Sequence, residues 1–385
     1  MEFALNEEQQ LFQRQTQQII KSKGDLEIPR AYSEGKEEVL DDLWTGLAEL
    51  GYMGITVSES YGGLGMGPLT LVPILEEMGR AVIPGPYIET VSFAAPLLEK
   101  YGSTEQKEKY LTELATGERK FSLALLEGNG EYAPSNINVR ATEKGNEYVL
   151  SGEKILVAHA DFVDTLIVPV RTGMSEQDIS LLLVDRDSTT LQLEKQISMD
   201  ETRKMVKVTF NDVAVPKSQL LGQENAGWEL LEIGVRGLNA ALCSNMVGGM
   251  ERIVETATEY ANTRVQFGQP IGRFQAVKHK IVEMKMNLET GRSLSYYAGW
   301  ALENNTEDVV EAIAMARSLI TEAFIKSAND NVQIHGGMGF TWEFDCHFFL
   351  KRAKTLENYL GSPEDYREEI VNALVSDKES VAVGR

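Results

Sequence analysis

The sequence predicts an α+β multidomain chain: a helical domain over residues 1–120, a central antiparallel β-domain over 121–221, and a C-terminal helical bundle of the four-helix type over 222–385. Three observations lead there. Apolar residues recur at helical spacing through the first and last parts of the chain, which gives each helix one face to bury. From Phe121 the period changes to short β-rich runs separated by turn residues. After Pro216 the helical pattern returns and holds almost to the end. Five strands in about 100 residues, with no helix between them, predict an antiparallel sandwich or barrel.

The first helix opens at Asn6-Glu7-Glu8-Gln9, an Asn cap followed by acids that oppose the helix dipole. An amphipathic stretch over 39–50 ends at Gly51, a residue suited to the left-handed turn past a helix end. The run Tyr61-Gly62-Gly63-Leu64-Gly65-Met66-Gly67 breaks the pattern before another helix over 69–79. Taken alone, it is a loop that needs positive φ. Ser103-Thr104-Glu105-Gln106 opens a helix over 105–114 that closes at Gly117. Strands are predicted over 121–126, 148–150, 166–170, 179–184 and 205–210, with Asn146, Gly152, Asp185-Arg186-Asp187 and Asn211-Asp212 as turn residues. In the bundle, Val277, Ile281, Met284 and Leu288 form one stripe, and Val309, Ile313, Ala316, Ile320 and Ala323 form another.

Charge narrows the function. Lys plus Arg total 37 against 58 Asp plus Glu, a formal charge of −21. That balance argues against nucleic acid and against an anionic membrane face. A phosphate-bearing ligand then needs a local basic pocket. Cys243 and Cys346 are too few for a disulfide scaffold or a metal cluster, and read as buried thiols in a reducing compartment. His159, His279, His335 and His347 show no metal-ligand spacing. The first residues lack the basic start and apolar run of a secretory signal. No stretch approaches the roughly 20 apolar residues of a spanning helix. The expectation is a soluble, cytoplasmic protein with no membrane or nucleic-acid partner.

The chemistry concentrates at the corner over 260–275, where one long helix ends and another begins. A guanidinium buried at that helix end, Arg264, makes fork-like, charge-assisted bonds to a pyrophosphate. Phe267 covers an adenine or flavin face, and Gly268 and Gly272 let the backbone approach closely. Gln275 and Gln333 bond to neutral parts of a cofactor. Residue by residue, an ion-paired Arg at a helix corner is the simpler account. The balance reverses once 260–275 is taken together with Gln333-Ile334-His335-Gly336-Gly337-Met338-Gly339-Phe340.

These two runs resemble the acyl-CoA dehydrogenase flavoproteins. The glycine run at 61–65, Leu220-Leu221-Gly222, Gly227-Trp228 and Lys351-Arg352-Ala353-Lys354 extend that resemblance over nearly the full length. It implies FAD held between the β-domain and the bundle, and bundles packed as dimers of dimers. Residues matching Arg264, Phe267, Gln333 and Gly337, with Gln275 and Gly336 beside them, hold the FAD of a neighbouring subunit. It also implies α,β-dehydrogenation of an acyl-CoA thioester, with electrons passing to an electron-transfer flavoprotein.

The same resemblance exposes departures. The family's catalytic Glu stands in a Tyr-Glu-Gly-Thr-like run; the matching run is Tyr359-Leu360-Gly361-Ser362. A minority place it on the first bundle helix, at a position matching Leu238. In the β-domain a Thr-Glu-Pro-x-Ala-Gly-Ser-Asp motif is replaced by the run from Leu126 to Tyr132, and Trp-Ile-Thr by Leu156-Val157-Ala158. Leu126 and Ala158 then contact a flavin through backbone only. Three arrangements stay open: a subunit whose partner supplies the base, a homo-oligomer with the carboxylate relocated to Glu232, Glu343 or Glu357, or a catalytically silent homologue that completes another chain's FAD site.

Overall fold

A computed structural model describes residues 5–383. Helix α1 (Glu7–Ser22) starts as the sequence predicts: Asn6 Oδ1 accepts the Gln9 N–H at 2.8 Å, and Gln9 Oε1 accepts the Asn6 N–H at 3.1 Å. That reciprocal pair satisfies two donors a helix start leaves open. Helices α2 (Glu27–Ser33) and α3 (Glu38–Glu49) follow, and Gly51 turns the chain at φ 77°. The glycine run then folds back on residues 54–58, with Leu64 and Gly65 N–H donating to the carbonyls of Gly54 and Val57. A Cβ on Gly63 would lie 2.1 Å from the Val57 carbonyl oxygen, so contact as well as φ dictates this loop.

Next come α4 (Pro68–Arg80), a wide helical turn (Glu89–Ala94), and α5 (Ala95–Tyr101). The 104–115 helical run is α6 (Thr104–Gln106), a second wide turn and α7 (Thr112–Ala115), capped by Ser103 in another reciprocal pair with Gln106.

Eight strands form one sheet: β1 (Phe121–Leu123), β2 (Arg140–Lys144), β3 (Glu147–Ala158), β4 (Thr165–Arg171), β5 (Ile179–Asp185), β6 (Leu191–Gln196), β7 (Met205–Pro216) and β8 (Leu220–Leu221). The order is β6-β7-β3-β2-β4-β5-β8, with β1 on β4. Pairing is antiparallel except that β1 runs parallel to β4 and β2 touches β4 in parallel at Arg140 and Arg171. Strands β2 and β6 escape a propensity reading because each is largely polar and mostly exposed. Asn211-Asp212, expected as a turn, is instead a bulge inside β7, with Asp212 at φ 55° as the extra residue opposite Leu150 and Ser151.

The C-terminal helices are α8 (Gly227–Thr263), α9 (Gln275–Asn304), α10 (Val309–His335), α11 (Cys346–Leu356) and α12 (Pro363–Val383). A short hairpin of β9 (Val265–Gln266) and β10 (Gln269–Pro270) joins α8 to α9. Helix α10 is the centre of the group, packing on α9, α11 and α12. Its predicted stripe is buried from Ile313 to Ala323, whereas Val277 and Ile281 of α9 are only half-buried.

The chain forms two compact units. One comprises the residues up to Gly35, Pro68–Ile83 and everything from Asn239; the other comprises Lys36–Gly67 and Pro84–Leu238 and holds the sheet. In the first unit α4 and α8 cross at backbone contact: a Cβ on Gly79 would lie 1.8 Å from the Asn245 carbonyl oxygen, and one on Gly248 1.8 Å from that of Glu76. No helix among the described residues is long and apolar enough to cross a membrane.

This close crossing buries Glu76, which is 2 % exposed. Burial pushes its carboxyl up to about 8, outweighing the Arg292 guanidinium 3.5 Å away. The folded state therefore holds a proton that the unfolded chain releases between the usual carboxylate range and pH 8. Stability from this group is full at low pH and falls as pH rises, by more than about 1 kcal/mol per unit within that window. Urea melts should show that slope in wild type and lose it in Glu76→Gln; parallel curves for the two proteins would refute the assignment.

Candidate functional site

The predicted corner is built by the end of α8. The Arg264 N–H still donates to the Tyr260 carbonyl at 2.8 Å, and the Arg264 carbonyl accepts the Ile271 N–H at 2.8 Å. The β9–β10 register leaves Phe267-Gly268 as a two-residue loop, with φ 52° and 80°. Two successive positive φ values define the tight hairpin turn usually built on Asn-Gly. Phe267 thus holds a left-handed conformation costly for a side chain with a Cβ, and its ring is 91 % exposed. Strain combined with exposure of an aromatic ring is a mark of a contact surface.

Arg264 is exposed, not buried as its place at a helix end suggested, because the helix stops one residue before it. Its guanidinium makes no ion pair or hydrogen bond among the described residues. Arg273, in the same corner, is exposed as well and is likewise without such a partner, which the sequence analysis missed. In a chain of charge −21 this is local positive potential.

The structure brings the second predicted run to this corner. Tyr260 stacks on His335, with ring centroids 4.2 Å apart and planes 25° apart, and Phe344 meets both rings. Burial lowers the His335 pKa, which keeps the imidazole neutral in that stack. Gln275 and Gln333 are exposed. Gly336 takes φ 60° and ψ −135°, a region open essentially to glycine alone, and a Cβ on Gly268, Gly336 or Gly337 would meet nothing within 4 Å. Free guanidinium, solvent-facing ring, exposed amides and open glycine backbone fit a polyanionic, aromatic cofactor such as FAD.

In the unit that holds the sheet, Leu126 and Ala158 are both buried. Their carbonyls are already used, by the Ile155 N–H at 2.8 Å and the Ser122 hydroxyl at 2.6 Å. A bulge in β3 carries Leu156 at φ 51° out to the surface, where its N–H donates to Gln196 Oε1 at 2.7 Å. Glu127 anchors the neighbouring turn, accepting the Asn138 N–H at 2.8 Å and Lys154 Nζ at 2.6 Å. Lys154 is fully buried, and burial pulls its ammonium down to about 8 despite Glu127. No side-chain hydroxyl stands at 126 or 158 for a flavin to bond.

Leu360, where the resemblance leads one to expect a Glu, lies in a closely bonded turn. Leu360 is 3 % exposed and sits at φ 63°, with Gly361 after it at φ 120°. Its carbonyl accepts the Tyr366 hydroxyl at 2.6 Å, and that hydroxyl lies 3.2 Å from Asn239 Oδ1. Arg317, wholly buried on α10, donates from Nε to Asn239 Oδ1 (3.1 Å), from Nη1 to Thr321 Oγ1 (2.8 Å), and from Nη2 to the carbonyls of Tyr359 (2.7 Å) and Leu356 (3.3 Å). All these partners are neutral. The guanidinium is held by carbonyl dipoles at the end of α11 and by the Tyr366 ring 5.4 Å away.

The partners of Arg317 include no carboxylate and no imidazole. Burial raises the Tyr366 hydroxyl and pushes the adjacent Cys243 thiol up to about 12. Glu232 and Glu343 are exposed, and Glu357 pairs with Lys354 at 3.0 Å. Leu238, next to Asn239 in the sequence, is fully buried. Sequence reasoning missed Arg317, Asn239 and Tyr366; the available signal was an Arg inside the apolar stripe of α10.

Comparison with known proteins places this geometry. A family model described as "Acyl-CoA dehydrogenase, C-terminal domain" matches residues 225–375, and one described as "Acyl-CoA dehydrogenase, N-terminal domain" matches residues 6–118. A probable acyl-CoA dehydrogenase, YngJ, of Bacillus subtilis is 31 % identical over 97 % of this chain and 100 % of its own length. The structure of butyryl-CoA dehydrogenase from Megasphaera elsdenii superposes with a TM-score of 0.90 at 26 % identity, covering 97 % of this chain and 100 % of that one. An FAD complex of PigA superposes with a TM-score of 0.89 at 27 % identity, covering 97 % and 99 %.

Proposed function

Because the chain belongs to the acyl-CoA dehydrogenase family, FAD-dependent oxidoreductases that act on CH–CH groups, we propose that it serves α,β-dehydrogenation of an acyl-CoA thioester as one subunit of a heteromeric enzyme. The observation that carries this reading is the pairing of an open Arg264 corner with leucine at both positions of the base. When bound, FAD supplies the hydride acceptor. Arg264 grips the pyrophosphate, Phe267 covers a flat ring, and Gln275 and Gln333 bond to neutral edges. Gly336 and Gly337 admit the cofactor of a neighbouring subunit to the backbone, whereas Leu126 and Ala158, in the unit with the sheet, meet this chain's own FAD through backbone only. Leucine at 238 and at 360 accepts no proton, so the carboxylate that takes the α-proton comes from a homologous chain. Electrons leave to an electron-transfer flavoprotein.

The different reading is a silent subunit that only completes the FAD site of such a chain. The exposure of Arg264 and Phe267 favours donation in either case. Expressing the chain alone and with a homologous chain that carries the Glu separates them: a yellow single chain with about one FAD each and turnover only in the mixture supports the heteromeric enzyme. Turnover by the single chain refutes it, and a colourless single chain favours the silent subunit.

Two predictions follow from the corner. Arg264→Ala removes a charge-assisted hydrogen bond worth roughly 1.5–3 kcal/mol, so FAD affinity should fall about tenfold or more; unchanged FAD retention through gel filtration would sink the assignment. Val265, Phe267, Val282, Met286 and Phe340 are each more than half exposed on the same unit, which favours self- or hetero-association. Light scattering is expected to show a species larger than the 42.8 kDa chain; a monomer alone would contradict it.

A further inference from the structure

We propose that Lys154 is a positioning residue for the cofactor: from β3 its ammonium clamps the main chain at Leu125–Glu127, the segment through which this chain meets its own FAD. This role rests on FAD meeting the backbone at Leu126 and Ala158, and goes beyond it. Lys154 is wholly buried, so it acts only through the residues it holds.

The clamp lies within the unit that holds the sheet. Lys154 donates from Nζ to the Leu125 carbonyl at 3.1 Å and to Glu127 Oε1 at 2.6 Å. The next residue, Ile155, donates its N–H to the Leu126 carbonyl at 2.8 Å. Glu127 passes the restraint on: its Oε2 accepts the Asn138 N–H at 2.8 Å and the Val139 N–H at 3.1 Å. Arg171, on β4, holds the far side, donating from Nε to the Ile137 carbonyl and from Nη2 to the Pro134 carbonyl, both at 2.8 Å. Buried charges thus tie down both ends of the turn over 127–139.

Stability does not account for a lysine at this place. Taking an ammonium and a carboxylate out of water is costly, and an apolar side chain of similar volume commonly serves a protein interior as well or better. Burial accordingly pulls the Lys154 ammonium down; Glu127 opposes that shift, and the Arg171 charge adds to it. What an ammonium adds is direction, because three donors on one nitrogen fix a carbonyl and a carboxylate at once. Direction matters here: neither Leu126 nor Ala158 has a side chain that hydrogen-bonds, so the main chain alone sets where a flavin rests. Hydrogen bonds on three successive residues, 125, 126 and 127, fix that main chain before any cofactor arrives.

The test uses the full chain expressed alone, with FAD as the probe. Lys154→Met by itself leaves the Glu127 carboxylate buried without its cation. It is therefore paired with Glu127→Gln, whose amide oxygen still accepts the Asn138 and Val139 N–H groups. The double variant should unfold in urea at the wild-type midpoint and yet hold FAD about tenfold more weakly. At saturating FAD its visible circular dichroism should differ from wild type, since that signal reports how the flavin ring is held. Without FAD, amide exchange over 125–139 should be about tenfold faster than in wild type and unchanged in the helices. Equal FAD affinity with an unchanged flavin signal, or exchange over 125–139 as slow as in wild type, would overturn the role of Lys154 and leave FAD binding by this chain standing. A double variant that loses urea stability in step with FAD affinity would make the pair structural only, and overturn the role too. A wild-type chain that takes up no FAD would instead remove the cofactor site itself, and the role with it.

Discussion

Purified alone, the chain should show little or no turnover of acyl-CoA thioesters. General-base catalysis contributes about 10²–10⁴-fold, and the two positions at which the proposed reading expects the base hold the buried leucines 238 and 360. The α-proton is then left without an acceptor on this chain. Leu360→Glu is the informative variant, because the backbone around it is already fixed: φ is left-handed, and the Tyr366 hydroxyl holds the carbonyl at 2.6 Å. Burial raises the pKa of a carboxyl placed there, while the Arg317 guanidinium nearby lowers it. Rescue is therefore expected in the variant once FAD is bound, with an activity that climbs as pH rises through the pKa of the new group. An artificial-acceptor assay across short, long and ring-bearing acyl-CoAs decides the matter. Robust turnover by the wild-type chain alone would refute the base-less site and send the search back to Glu232, Glu343 and Glu357.

Legibility from sequence followed the locality of the physics. Asn6 and Ser103 announce their helices because each capping pair spans only three residues. The fold class was legible for a similar reason, since helical stripes and β-rich runs are patterns within one element. Asp212 was misjudged as a turn residue because a bulge depends on the strand opposite, which no local pattern reveals. The corner over 260–275 was found, but not the hairpin that puts Phe267 in a left-handed turn, since Asn or Gly is the residue such turns advertise. Arg317 was hidden for a deeper reason. Its partners, Asn239, Thr321, Leu356 and Tyr359, come from three helices and a loop, so the apolar stripe of α10 signals a buried Arg but not what holds it.

Arg317 is also where the second large effect is expected. Replacing it with Met keeps volume in the α10 stripe but withdraws donors from two main-chain carbonyls at the end of α11, from Asn239 and from Thr321. Water cannot replace them, because Arg317 and Asn239 are both buried. Each buried group left unmatched costs about 1–3 kcal/mol, and removing the guanidinium recovers part of its own desolvation, so a net loss of about 3 kcal/mol is expected. Arg317→Lys should fall between the two, since an ammonium keeps the charge but cannot fork to Tyr359 and Asn239 together. Urea unfolding measures the loss, and a Met variant within about 0.5 kcal/mol of wild type would show that the network is incidental. A second readout separates positioning from stability: in the Leu360→Glu background, adding Arg317→Lys should lower turnover at saturating substrate more than it raises KM, because the Glu then swings on a loosened loop while the cofactor corner is untouched. Equal loss in both would leave Arg317 a purely structural residue.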